Sequence, residues 1–203
     1  MNDGKRYRSL KVQSQPLVEP VSVAEAKQHC RVDTTADDFY IASLISAARE
    51  YVETYMDETL IDTQYVMRLD AFPAVIELPR PPMSQTSGRT AVSITYTTSE
   101  SGGTAVLSTA QYRVDRESRP GTLRPLYGGS WPSHLLDYGS VAVAWHAGRG
   151  PDGASVSPRV KAAMLMLVGM WYERRMAADG VHLSEIPYGV KHLLDSAKWG
   201  SYA

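Results

Sequence analysis

The stretch SPRVKAAMLMLVGMWYERR, residues 157–175, decides how this chain folds. Ser157 stands where a helix N-cap accepts a backbone N–H. Pro158 follows at the first helical position, where its missing donor costs nothing. Val160, Ala163, Met164, Leu167 and Trp171 recur at helical spacing and form one stripe. Leu165, Met166, Val168 and Met170 fill most of the remaining surface. A helix that is apolar nearly all round must be covered on more than one side. Part of the helix near 158–176 is therefore expected under its own fold, and the remainder against a neighbouring subunit. Glu173-Arg174-Arg175 ends the run in charge, with cations where the helix dipole favours them.

Working outward, three more helices are expected. Ser22-Val23-Ala24-Glu25 is a capping box that opens a short helix near 22–31. Thr35-Ala36-Asp37-Asp38 repeats the signal with an acidic first turn. It opens a helix near 36–56, in which Ile41, Leu44, Ile45, Ala48, Val52 and Tyr55 recur over about five turns. Beyond Gly180, Ile186-Pro187-Tyr188-Gly189 leads into a last helix near 188–198. It carries Val190, Leu193, Leu194 and Ala197 on one face.

Between the second and third helices the period changes to two. Residues 63–69 alternate and are rich in Tyr, Val and Met. Short strands are expected at 75–78, at 91–98 with Val92, Ile94 and Tyr96 on one face, at 104–107 and at 111–115. A further strand carries Val141, Val143 and Trp145. Pro79-Arg80-Pro81-Pro82 lacks three backbone donors and reads as an extended connector. Gly121, Gly128-Gly129 and Pro132 read as punctuation of a loop, and residues 148–153 as a flexible break. The fold class is α+β: a helical core with a β-rich lobe inserted at about 60–147. Residues 1–19 are polar and aperiodic and read as an extended arm; 20–203 reads as one domain.

Composition narrows the function. The chain has 203 residues, 43% hydrophobic and 21% charged, so it buries a core without metals or disulfides. Its formal net charge of −1 supplies no broad field for nucleic acid. Cys30 is the only cysteine, which excludes an intrachain disulfide and suits synthesis in a cytosol. The longest apolar run, residues 162–172, is far short of the roughly 20 residues a membrane span needs. The N-terminal residues lack the apolar stretch of a signal peptide.

Chemistry is thin. The five histidines are His29, His134, His146, His182 and His192, and no two stand four residues apart. Cys30 has no partner cysteine. No metal site, catalytic residue or cofactor is expected. The glycine-rich run 148–153 lacks the Lys-Ser/Thr of a phosphate loop. Asp37-Asp38 reads as helix capping, and Asp57-Glu58 as a solvated helix end. Trp171 reads as core. Trp199 and Tyr202 lie in the last five residues, where chains are usually polar, and read as docking anchors.

The pattern as a whole resembles the head–tail connector, or adaptor, proteins of tailed phages, including those of gene transfer agents. The matching blocks begin with Pro20-Val21-Ser22 through Glu25-Ala26-Lys27, then His29 and Arg31-Val32-Asp33. Leu44-Ile45, Ala47-Ala48-Arg49-Glu50-Tyr51-Val52-Glu53, Leu69-Asp70 with Phe72-Pro73, and Leu78-Pro79-Arg80-Pro81-Pro82 follow. Tyr112-Arg113-Val114-Asp115, Pro120-Gly121 and Gly129-Ser130-Trp131-Pro132 come next. The last are Leu167-Val168-Gly169, Trp171 through Arg175, Ile186-Pro187, Gly189-Val190 and Leu193-Leu194.

The resemblance implies a non-enzymatic virion protein at the head–tail interface. It implies a ring, usually of twelve, under the portal protein, which extends the DNA channel and receives a downstream stopper or tail-terminator protein. The partners so implied are portal, neighbouring copies and that downstream protein, with DNA only as channel contents and no membrane. It also implies a C-terminal portal-docking segment, placed here at about 187–203 and carried by Tyr188, Val190, Leu193, Leu194, Trp199 and Tyr202. Subunit contacts are expected from Leu165, Met166, Met170, Glu173, Arg174 and Arg175. The competing readings are a tail completion protein, a small enzyme using His134 or His146 beside residues 148–153, and a DNA-binding module using the basic arm.

Overall fold

Capping and periodicity set the helices. The computed structural model of the chain describes residues 7–174 and 188–198. In chain order the elements are β1 (Ser9–Ser14), α1 (Val23–Cys30), α2 (Asp38–Met56), β2 (Thr63–Leu69), β3 (Ile76–Leu78) and β4 (Ser93–Thr97). Then come β5 (Thr104–Val106), β6 (Tyr112–Asp115), β7 (Gly121–Pro125), β8 (Val141–Ala147), α3 (Pro158–Glu173) and α4 (Tyr188–Ala197). The class is α+β, as the two periodicities require. The chain forms two compact units, a β unit of Met1–Pro16 with Asp62–Arg149 and a helical unit of Leu17–Ile61 with Gly150–Ala203.

In the helical unit α3 is central, and α1, α2 and α4 all pack on it. Val160, Ala163, Met164, Leu167 and Val168 are buried there with Ile41, Ile45, Ala48 and Val52 of α2. Gly169 lets α1 approach: a Cβ there would lie 3.2 Å from the His29 ring. The chain's own helices thus cover α3 on three sides and leave Leu165, Met166 and Met170 half-buried against the core. The capping box at α1 forms, with Ser22 Oγ accepting from Glu25 N at 3.1 Å and Glu25 Oε2 accepting from Ser22 N at 2.7 Å.

Three local expectations change. Asp37 does not cap α2 with its side chain; its carboxylate accepts from Tyr172 Oη at 2.6 Å. Ser157 precedes Pro158 as read, but its hydroxyl is buried and makes no capping bond. Glu58, read as solvated, is buried at the end of α2. The reason is the loop back from α2, which is fixed by a buried ion cluster. Arg49 Nη1 meets Glu53 at 3.0 Å, Arg49 Nε meets Glu19 at 2.8 Å, and Glu53 Oε1 accepts from Leu60 N at 2.8 Å.

The β unit has two antiparallel sheets. The five-stranded sheet runs β1-β2-β8-β4-β5 and the three-stranded sheet β3-β7-β6. Met67 pairs with Val143 and Tyr65 with Trp145, so one face of β2 and β8 is apolar apart from Thr63 at its start. That face shares a core with Ile76, Leu78 and Leu123 of the smaller sheet. Two elements were read differently from sequence. Residues 9–14, read as part of an arm, form β1 on the edge of the large sheet, with Leu10 opposite Met67. Residues 121–125, read as loop, form β7 at the centre of the small sheet. Gly121 is needed there, because a Cβ would stand 2.5 Å from Met83 Sδ.

Candidate functional site

The residues expected at a C-terminal docking surface divide. Val190 and Leu194 are fully buried in the helical core, and Leu193 is half-buried against it. These three hold α4 on the bundle. Their apolar stripe, which suggested docking from sequence, is spent largely inside the fold. Tyr55 Oη donates to Asp195 at 2.8 Å, and Arg159 donates to the Ser196 carbonyl at 3.3 Å, which fixes the other end of α4. Tyr188, at the first position of α4, is 86% exposed and is the aromatic that this helix offers outward. Trp199 and Tyr202 lie outside the described residues.

The expected subunit contacts divide in the same way. Leu165, Met166 and Met170 are half-buried on the bundle, and Met166 lies under Gly189 of α4, whose Cβ would be 3.3 Å from it. Glu173 and Arg174 are exposed at the end of α3, where Arg174 is the C-cap. Arg175 lies outside the described residues. Sequence reading passed over Phe39, which is 94% exposed on the first turn of α2. An aromatic amid charged helix-start residues gave the signal, but helical spacing alone does not say which way it points.

The β unit carries a second exposed group in the loop between β7 and β8. Trp131 stacks on Phe72 with ring centroids 5.0 Å apart, and its Nε1 donates to the Pro73 carbonyl at 2.6 Å. His134 meets Phe72 edge-on at 4.9 Å. Gly139 N donates to Asp70 at 2.7 Å. On that fixed base Tyr127, Leu136 and Tyr138 stand exposed, and the Arg8 guanidinium lies over the Tyr138 ring at 4.1 Å.

The histidines proposed for catalysis are placed as follows. His134 packs against Phe72, with Nδ1 3.4 Å from the Pro132 carbonyl. His146 lies on β8, where burial and then the Arg89 charge push its pKa down, with Asp62 opposing. Neither its Nδ1 nor the Asp62 carboxylate has a hydrogen-bond partner, so the pair forms no acid–base relay. Cys30 is half-buried, and burial raises its thiol pKa. Among the described residues, no group of three or more His, Cys, Asp or Glu is placed to hold a metal, and no helix is long and apolar enough to cross a membrane.

Residues 20–104 match the model of the phage gp6-like head-tail connector protein family. Over that stretch the chain is similar to this family. Its fold recurs in solved structures. A chain from the neck of an empty gene transfer agent particle, computed with C6 symmetry, matches with a TM-score of 0.73 at 21% identity. A chain from the virion of a native gene transfer agent particle matches with a TM-score of 0.74 at 21% identity. Each match covers 94% of this chain and 95% of the other. A chain from the neck of a native particle computed with C12 symmetry matches at 20% identity and a TM-score of 0.68. No curated protein matches the chain.

Proposed function

We propose that the chain is a structural adaptor subunit of a virion neck. In this reading, copies made in the host cytoplasm form a ring, of twelve, beneath a portal protein; a neck computed with C12 symmetry supports that number. The ring extends the DNA channel and offers a surface to a downstream stopper or tail-terminator protein. The observation that carries the reading is the family match over residues 20–104, joined to a fold shared with neck chains over 94% of the length. The role needs no catalytic group. Ring contacts of this kind are heterologous, one patch meeting a different patch on the next copy, and close by rotation.

Within this reading 20–203 acts as the adaptor domain and 187–203 as the portal-docking segment. Burial refines the second point. Val190 and Leu194 keep α4 on the bundle, and Tyr188 is exposed; in this reading Tyr188, with Trp199 and Tyr202, makes the contact. Deleting 187–203 would remove two core residues as well as the aromatics. The sharper variant is therefore the triple Tyr188→Ala, Trp199→Ala, Tyr202→Ala. Its mass and shape are measured alone and mixed with portal. The wild-type chain is expected to form a ring-sized complex with portal, and the triple variant to stay folded and lose it. A triple variant that still decorates portal removes the docking assignment. A wild-type chain that ignores portal under all conditions moves the role to tail completion.

A further inference from the structure

The large sheet of the β unit has one face in the core and one face turned away from it. Two adjacent cross-strand rows of that outer face run Lys11–Val66–Ala144–Ser93 and Ser9–Arg68–Ala142–Thr95. None of these side chains is buried, and Val66 belongs to neither apolar core. Outward-facing strands usually carry mixed charge. Here the central strands carry alanine, serine and threonine, and the only full charges in the two rows are Lys11 and Arg68. Past the ends of β2 stand two carboxylates, the exposed Asp70 and the buried Asp62. Each has an arginine near it: Arg89 Nη1 lies 3.7 Å from Asp62, and Arg8 Nη1 lies 3.3 Å from Asp70. Among the described residues these two rows thus carry no carboxylate and two cations, Lys11 and Arg68, the latter donating to the Gly139 carbonyl at 3.3 Å.

We infer that this face, centred on Val66, Ala142, Ala144 and Thr95, is the surface the chain turns toward double-stranded DNA in the channel. The inference rests on the adaptor reading and goes beyond it by assigning a wall of the passage. Charge complementarity selects the occupant: carboxylates would repel phosphates, and this face has its neighbouring ones paired. The scarcity of cations matters equally. Each neutralised phosphate adds affinity, so a face lined with lysine and arginine would hold DNA, whereas two cations per copy attract it and let it move. The small side chains leave no protrusion to catch a sliding duplex.

The test uses particles that carry the full-length chain and are filled with DNA. In a Cys30→Ser background a thiol-linked photo-crosslinker is placed either at Thr95→Cys on this face or at Glu77→Cys on β3 of the small sheet. Adducts to DNA are expected from Thr95→Cys and none above background from Glu77→Cys. Adducts from Thr95→Cys to a neighbouring protein instead, equal DNA adducts from both positions, or none from either would overturn the assignment. A labelled chain that is absent from the particle overturns the adaptor reading itself, and the inference with it.

Discussion

The two compact units handle buried charge in opposite ways. In the helical unit the Arg49 side chain is 7% exposed and is hydrogen-bonded to two carboxylates, Glu53 at 3.0 Å and Glu19 at 2.8 Å. Burial works against its charge, and the Glu53 and Glu19 carboxylates outweigh that and raise its pKa. Glu53 in turn accepts the Leu60 N–H. Every strong group in the cluster is engaged. In the β unit the Asp62 side chain is wholly buried, yet its carboxylate receives no hydrogen bond and meets only a part-exposed Arg89 at 3.7 Å. The first arrangement is a brace that fixes the return from α2. The second is a loose pair at the start of β2, where Gly148 leaves no room: a Cβ there would meet Asp62 Cα at 2.6 Å. A buried charge strengthens a fold only when its whole surroundings answer it.

That contrast is broken most severely at Arg49. Arg49→Ala leaves Glu53 and Glu19 facing each other without a cation and is expected to cost about 3–5 kcal/mol in urea denaturation. A cost below about 1 kcal/mol would mean that the cluster is no brace. Asp62→Asn is the counterpart. It removes a buried charge that lacks hydrogen bonds and frees Arg89 toward water, so stability is expected to change by less than about 1 kcal/mol. A loss as large as that at Arg49 would erase the difference between the units.

The smallest expected effect is a pH dependence at His146. Its folded pKa lies below the ordinary 6.5, through burial first and Arg89 second. As pH falls below that value the unfolded chain takes up the proton before the folded chain does. Stability is therefore present above it and declines as pH falls toward the folded pKa. The urea midpoint of the wild type is expected to fall between about pH 7 and 5, and that of His146→Gln to fall less. Asp62→Asn removes the one charge that supports protonated His146 and should deepen the decline. Identical pH profiles for wild type and His146→Gln would show that the ring is not held neutral by its surroundings.

Much of the architecture was legible because it rests on local signals. The capping box at Ser22 and Glu25, the proline at 158 and the spacing through α2 each place a helix start within two residues of the observed one. The alternation of Tyr65, Met67 and Leu69 against Val141, Val143 and Trp145 marks the two central strands. Strand β7 was hidden because Gly121 and Pro125 bound a segment of only five residues, and the signal of its core residue Leu123 is a single apolar position. Strand β1 was hidden because four of its six residues are exposed, so pairing with β2 leaves almost no periodic trace.

The candidate surfaces were less legible for a related reason. Apolar residues at helical spacing announce that a face will be covered, and they do not say by what. The sequence by itself determined the four helices, the inserted β lobe, the absence of a disulfide framework and the ordered blocks that resemble the connector family. Tertiary structure decided that α1, α2 and α4 cover α3, that Val190 and Leu194 turn inward while Tyr188 turns out, and that Lys11 and Arg68 share an outer face with no carboxylate between them. Helix and strand preferences act over a few residues and can be read along the chain. Which face is buried depends on partners brought together from distant positions, and that is settled only when the chain packs.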